Sequence, residues 1–149
     1  MNIITNYNTK YINMLVMSIF LTFSFAQDWE ADYETVPFEN EFQANITAQV
    51  FIDGVEQTTG KVAAFGEDGV ISALDADGTL YFPLTDVNVY ELAVWSNAAG
   101  EVMTFAFMTD DGTVIDLNET YSFTINDIYG DVFAPFQLSG SSPDDGGGD

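Results

Sequence analysis

From Asn45 the chain alternates. In "NITAQVFIDG" the residues Ile46, Ala48, Val50 and Ile52 fall on one side of an extended chain, with Thr47, Gln49 and Phe51 on the other, and Asp53-Gly54 follows. A period of two that stops at a turn dipeptide predicts a strand with one buried face. The pattern returns in "KVAAFGEDG" (61–69), "VISALDADG" (70–78), "TLYFPL" (79–84), "VNVYELAVWS" (87–96), "EVMTFAFMTDDG" (101–112), "TVIDL" (113–117), "TYSFTI" (120–125) and "APFQL" (134–138). These runs are rich in β-branched and aromatic residues and are separated by Asp-Gly, Ala-Ala-Gly or Asn-Asp. Eight or nine short strands with regular turns predict an all-β domain over residues 43–138, an antiparallel β-sandwich of immunoglobulin-like or jelly-roll-like kind. Met103, Phe105 and Phe107 are expected in its core, and the face of Tyr90, Leu92 and Val94 lies opposite Trp95. No stretch shows a helical stripe with caps, and the Asp-Gly pairs are too unevenly spaced for an internal repeat.

The flanks break the pattern. Residues 27–42 are acidic with scattered aromatics and read as an extended lead-in. Residues 139–149, "SGSSPDDGGGD", hold nothing to bury and read as a disordered acidic tail or linker. The first 26 residues carry one base, Lys10, then an apolar run from Met14 to Phe25, with small Ser24 and Ala26 at its end. That is the organisation of a secretory signal peptide cut after Ala26. The apolar run is shorter than the roughly 20 residues a bilayer requires, and no cysteine follows it to carry a lipid. The mature chain is therefore expected to be secreted or at the cell surface, with no membrane span.

Composition narrows the partners. The chain has 24 acidic residues against two bases, a formal charge of −22, and beyond residue 26 Lys61 is the only base. Neutralising phosphates takes Lys and Arg, so no nucleic-acid partner is expected and anionic membrane surfaces are poor partners. The absence of cysteine leaves stability to burial, which the aromatic residues supply. The absence of histidine removes the commonest general base, the serine and cysteine triads and most zinc sites.

The order of motifs resembles a family. "ANITAQVFIDGVE", then "KVAAFGEDGVISA", then "YELAVWSNAAGEVMTFAFMTDDGTVIDL", and finally "FTINDIYGDVFAPFQL" are similar to a secreted β-sandwich module of large extracellular and cell-surface proteins of marine and Bacteroidetes-type bacteria. The resemblance covers roughly residues 45–138 and rests on core and turn residues. It implies an extracellular module and assigns no catalytic residue.

Candidate chemistry sits in the acidic turns. Asp75 and Asp77 before Gly78 match the opening of a calcium loop, but the flanks are strand-like and Leu80, Tyr81 and Phe82 stand where ligands should be. A hairpin turn is the stronger reading. Asp110 and Asp111 form a second metal candidate, with Asp116, Asn118 and Glu119 further along the same stretch. Trp95 is a candidate exposed ring for stacking on a sugar. Asn45-Ile46-Thr47 and Asn118-Glu119-Thr120 accept glycans only in a host with that machinery. With no positioned nucleophile, acid or metal, the chain is expected not to be an enzyme and to require no cofactor, calcium being the one ion considered. The leading expectation is a non-catalytic adhesive or spacer module whose partner is an extracellular protein or polysaccharide. A glycan- or calcium-binding module and a carboxy-terminal secretion-sorting domain are the alternatives.

Overall fold

The protein's computed structural model describes residues 27–144, so the signal-like segment 1–26 and the end of the tail, 145–149, lie outside the described residues. Among the described residues, two short helices, α1 (Trp29–Tyr33) and α2 (Val36–Glu39), precede ten strands. The strands are β1 (Phe42–Ile52), β2 (Val55–Gln57), β3 (Lys61–Phe65), β4 (Ile71–Asp75), β5 (Leu80–Phe82), β6 (Val87–Ser96), β7 (Val102–Met108), β8 (Val114–Ser122), β9 (Ile128–Tyr129) and β10 (Phe136–Gly140).

They form an all-β, sandwich-like fold of two sheets. One runs β10-β1-β6-β5, with β2 and β9 also pairing β1; the other runs β4-β3-β7-β8. Pairing is antiparallel except at β9 and β10, which lie parallel to β1, with Ala48 opposite Phe136 and Asn45 opposite Ile128. The inward residues are those the alternation selects. Ile46, Ala48, Val50, Tyr90, Leu92, Val94, Met103, Phe105 and Phe107 all pack between the sheets. Each large apolar side chain moved from water to this interior contributes about 1.5–3 kcal/mol.

The sheets meet along two seams, where β4 runs beside β6 and β8 beside β10. A carboxylate bridges each. The Glu91 N–H donates to Asp75 Oδ2 at 2.9 Å, and the Ser139 N–H donates to Glu119 Oε2 at 2.6 Å. Gly140 allows the second seam to close, because a Cβ there would lie 3.0 Å from the Asp116 carbonyl oxygen and 3.0 Å from Leu117 Cδ2.

Four expectations change. Residues 113–125 are not two strands: β8 runs unbroken to Ser122, because Leu117, Glu119 and Tyr121 keep one phase and Glu119 is satisfied by Ser139. Asp77-Gly78 does not close a hairpin, since β4 and β5 belong to different sheets and the turn carries the chain across. The lead-in is helical rather than extended. Asp28 caps α1 by accepting the Ala31 N–H, Pro37 sits in the first turn of α2, and Trp29 and Val36 are buried against Ala63, Ile71, Ala106 and Met108 on the outer face of the four-stranded sheet. The tail is ordered at its start: Ser139 and Gly140 complete β10, and Ser142 donates from its N–H and its hydroxyl to Asp53.

Candidate functional site

Of the metal candidates, the fold brings three to one place. Asp77, Asp110 and Asp111 border a cleft of about 450 Å³ at one end of the sandwich, together with Thr59, Lys61 and Thr109. Local sequence explains their conformations. Asp110-Asp111-Gly112 turns β7 into β8, and Asp111 accepts the Thr113 N–H at 3.0 Å and the Thr109 hydroxyl. The Thr109 hydroxyl first, and then the Thr113 N–H, hold the Asp111 carboxyl below the usual carboxylate range. Asp110 accepts the Thr59 hydroxyl at 2.6 Å. Among the described residues no three acidic side chains are arranged to hold one metal ion.

Asp75 lies apart, in the β4/β6 seam. One carboxylate oxygen takes the Asp77 N–H at 3.1 Å and the other takes the Glu91 N–H at 2.9 Å. Burial, the largest influence, raises its pKa above the usual range despite these donors. The "DADG" stretch is therefore an Asx turn that ties the two sheets together.

Trp95 projects from the face opposite Tyr90, Leu92 and Val94, as the alternation requires. It is half-buried against the cluster beneath α1 and α2, and its indole N–H is enclosed with no hydrogen-bond partner among the described residues. Its remaining surface borders a cleft of about 490 Å³ with Glu39, Glu67, Ser72 and Glu101. There the turns clasp each other: the Glu67 N–H donates to Glu101 at 3.2 Å, and the Val102 N–H donates to Glu67 at 3.1 Å.

The opposite edge shows what the alternation did not reveal. The connection from β8 through β9 to β10 carries Ile128 76 % exposed, Phe133 75 % exposed and Tyr129 41 % exposed. Tyr129 joins a row of rings that leads into the core. Tyr121 lies 5.1 Å from Tyr129, Tyr129 4.9 Å from Phe136, and Phe136 5.9 Å from Phe105, all between ring centroids. The acids of this connection turn to local partners. Asp127 accepts the Tyr121 hydroxyl at 2.8 Å, and Asp131 accepts the Phe133 and Ala134 N–H groups, both at 2.8 Å. Gly130 pins the connection to β1: its φ is +74°, and a Cβ there would fall 2.5 Å from the Thr47 carbonyl oxygen. The sequence signal was present in "DIYGDVFAPF", whose apolar residues keep no strand phase and stand among turn residues.

The β5 hairpin also exposes Leu80, Tyr81 and Leu84, but Leu80 borders a cleft with Asp75, Asp77 and Glu91, and Tyr81 donates its hydroxyl to Asp86. That surface sets four carboxylates about its apolar groups, Asp75, Asp77, Asp86 and Glu91, against Asp127 and Asp131 at the β9 connection. Comparison with protein-family models, curated proteins and solved structures finds no match to this chain.

Proposed function

We infer that this chain is an exported, non-catalytic β-sandwich module that works by contact in an extracellular or cell-surface assembly, adhering to a partner protein through the β9 connection. The observation that carries this reading is Ile128 and Phe133, open to solvent on a connection that Tyr129 ties to the core through a row of rings. Apolar groups on a rigid support lose little conformational freedom on binding, and aromatic residues are characteristic of interface centres. An aliphatic residue beside rings suits a protein surface better than a sugar. The net charge favours a partner with basic residues around its contact surface. Export is supported by the signal-like first 26 residues and by the resemblance to secreted modules. Among the described residues, turn carboxylates such as Asp75, Asp111 and Asp131 accept backbone N–H groups, which suits a scaffold.

The test is retention. In cells that make the full chain, the protein is divided into surface-bound and released fractions, for the wild type and for an Ile128→Asp, Phe133→Asp double variant. The variant is expected to shift the ratio toward release by about tenfold or more, since two charges at an apolar contact cost at least 1.4 kcal/mol. Equal retention of both chains defeats the contact reading. Retention of the wild type inside the cell defeats export.

A calcium-binding module is the alternative at the cleft of Asp77, Asp110 and Asp111, where among the described residues no three acidic side chains are arranged to hold one ion. Its test is the melting midpoint in EDTA, calcium and magnesium at fixed ionic strength. With Asp110 and Asp111 already engaged by threonines, an equal small rise with both ions is expected from screening. A rise with calcium alone would establish a specific site, because a ligand of the folded state stabilises by mass action.

A further inference from the structure

Cleavage after Ala26 would make Gln27 the first residue, and the next residues are fixed at once. Asp28 caps α1 by accepting the Ala31 N–H at 3.2 Å, and Trp29 is buried. Lys61 forms with Glu30 the one ion pair found among the described residues. A new amino terminus at Gln27 is thus held against the body of the protein rather than trailing from it. Gln27 itself is exposed and borders a cleft of about 390 Å³ with Trp29, Phe65, Thr104, Val114 and Asp116.

Glutamine at an amino terminus has a reaction open to it that no internal glutamine has. Its free α-amine and its own side-chain amide are joined by a short tether, so attack of one on the other closes a five-membered ring and is favoured by proximity. We propose that Gln27 is a modification site, converted after export into a pyroglutamyl lactam that seals the end of the segment covering the outer sheet face. This rests on the export reading above. The α-ammonium first gives a proton to solvent. The amine nitrogen then bonds to the side-chain Cδ, the bond from Cδ to the amide nitrogen breaks, and that nitrogen takes the proton the attacking amine gives up and leaves as ammonia. No oxidant, reductant or second substrate takes part.

The product suits its place. A lactam is uncharged and keeps an N–H donor, so it can lie over Phe65 and Val114 with that donor free for Thr104 or Asp116, whereas an ammonium must stay hydrated. It also removes the free amine that aminopeptidases require. Only one residue separates Gln27 from Trp29, whose side chain holds the covering segment on the sheet. Exopeptidase trimming outside the cell would reach that anchor after two steps, and the lactam closes the route.

The test is intact mass and amino-terminal sequencing of the protein recovered outside cells that make the full chain. The expected mass is that of residues 27–149 less one ammonia, with sequencing blocked until a pyroglutamyl peptidase is added, after which it reads Asp-Trp-Glu. The mass of residues 27–149 with a readable Gln-Asp-Trp overturns the lactam and leaves export standing. An uncut chain, or one cut elsewhere, overturns the proposal together with the predicted cleavage. A Gln27→Ala variant, which cannot cyclise, supplies the second arm: incubation with an aminopeptidase should shorten it and lower its melting midpoint while leaving the wild type unchanged. Equal resistance of the two chains overturns the sealing role.

Discussion

The sandwich treats two apolar surfaces in opposite ways. On the outer face of the four-stranded sheet, Ala63, Ile71, Ala106 and Met108 are covered by α1 and α2, whose Trp29 and Val36 are buried there. At the β9 connection, Ile128 and Phe133 are left open, and it is their neighbour Tyr129 that packs into a row of rings. The contrast teaches that exposure at β9 is not forced by a shortage of chain. The same protein devotes its first described residues to hiding one apolar face, and fixes another in place uncovered. Small residues mark the first solution: Ala63 and Ala106 let the helices lie close. A glycine marks the second: Gly130 lets the connection press against β1.

Breaking the covered side should have the largest effect. Trp29→Ala removes the anchor of the covering segment and should cost about 3 kcal/mol, the low end for truncating a buried aromatic, because the segment can lift away without opening the main core. A denaturant titration measures it, and an unchanged midpoint would mean that α1 contributes nothing to stability. Next comes Gly130→Ala, expected to cost about 2 kcal/mol through the strained φ and the contact with Thr47. That variant should also raise the exchange rate of amides in β9 relative to those in β1.

Tyr121→Phe sharpens the comparison at the foot of the ring row. Losing the bond to Asp127 should cost about 1 kcal/mol at neutral pH. Burial first, and then the Asp127 carboxylate, push the Tyr121 phenol up to about 12. The folded pKa exceeds the ~10 of a free phenol, so the neutral group's contribution is fully present below about pH 10 and is lost as pH climbs toward 12. The wild type should therefore converge on the Phe variant across that window in melts recorded against pH. A gap that stays constant would show that Tyr121 titrates as an ordinary phenol. The smallest stability effect belongs to the open side. The Ile128→Asp, Phe133→Asp variant should melt within about 0.5 kcal/mol of the wild type, since neither side chain is buried.

The alternation made the inner faces of β1, β6 and β7 legible, because a strand with one buried face can place its apolar residues in only one phase. Strand partners were not legible. The period of two says which face is buried but not which strand lies alongside, so the parallel fit of β10 against β1 and the crossing of the chain at Asp77-Gly78 had to come from the fold. The same gap separated Asp77 from Asp110 and Asp111, which share a cleft only because β4 and β7 flank β3. The helices did leave a trace: Trp29, Tyr33 and Val36 stand at helical spacing, but over too few turns to outweigh the surrounding acids. Trp95, read as an outward ring, does face outward, and the covering segment then meets it.

The contact surface proposed at the β9 connection can be tested in place. The most direct measurement places a photo-crosslinking benzophenone residue at Phe133 and, in a second chain, at Phe38, an even more open position on the covering segment. Both chains are irradiated in the cells that make them. A contact surface at β9 should give a discrete protein adduct from position 133 and none of the same size from position 38. No adduct at 133, or identical adducts from both positions, would contradict it.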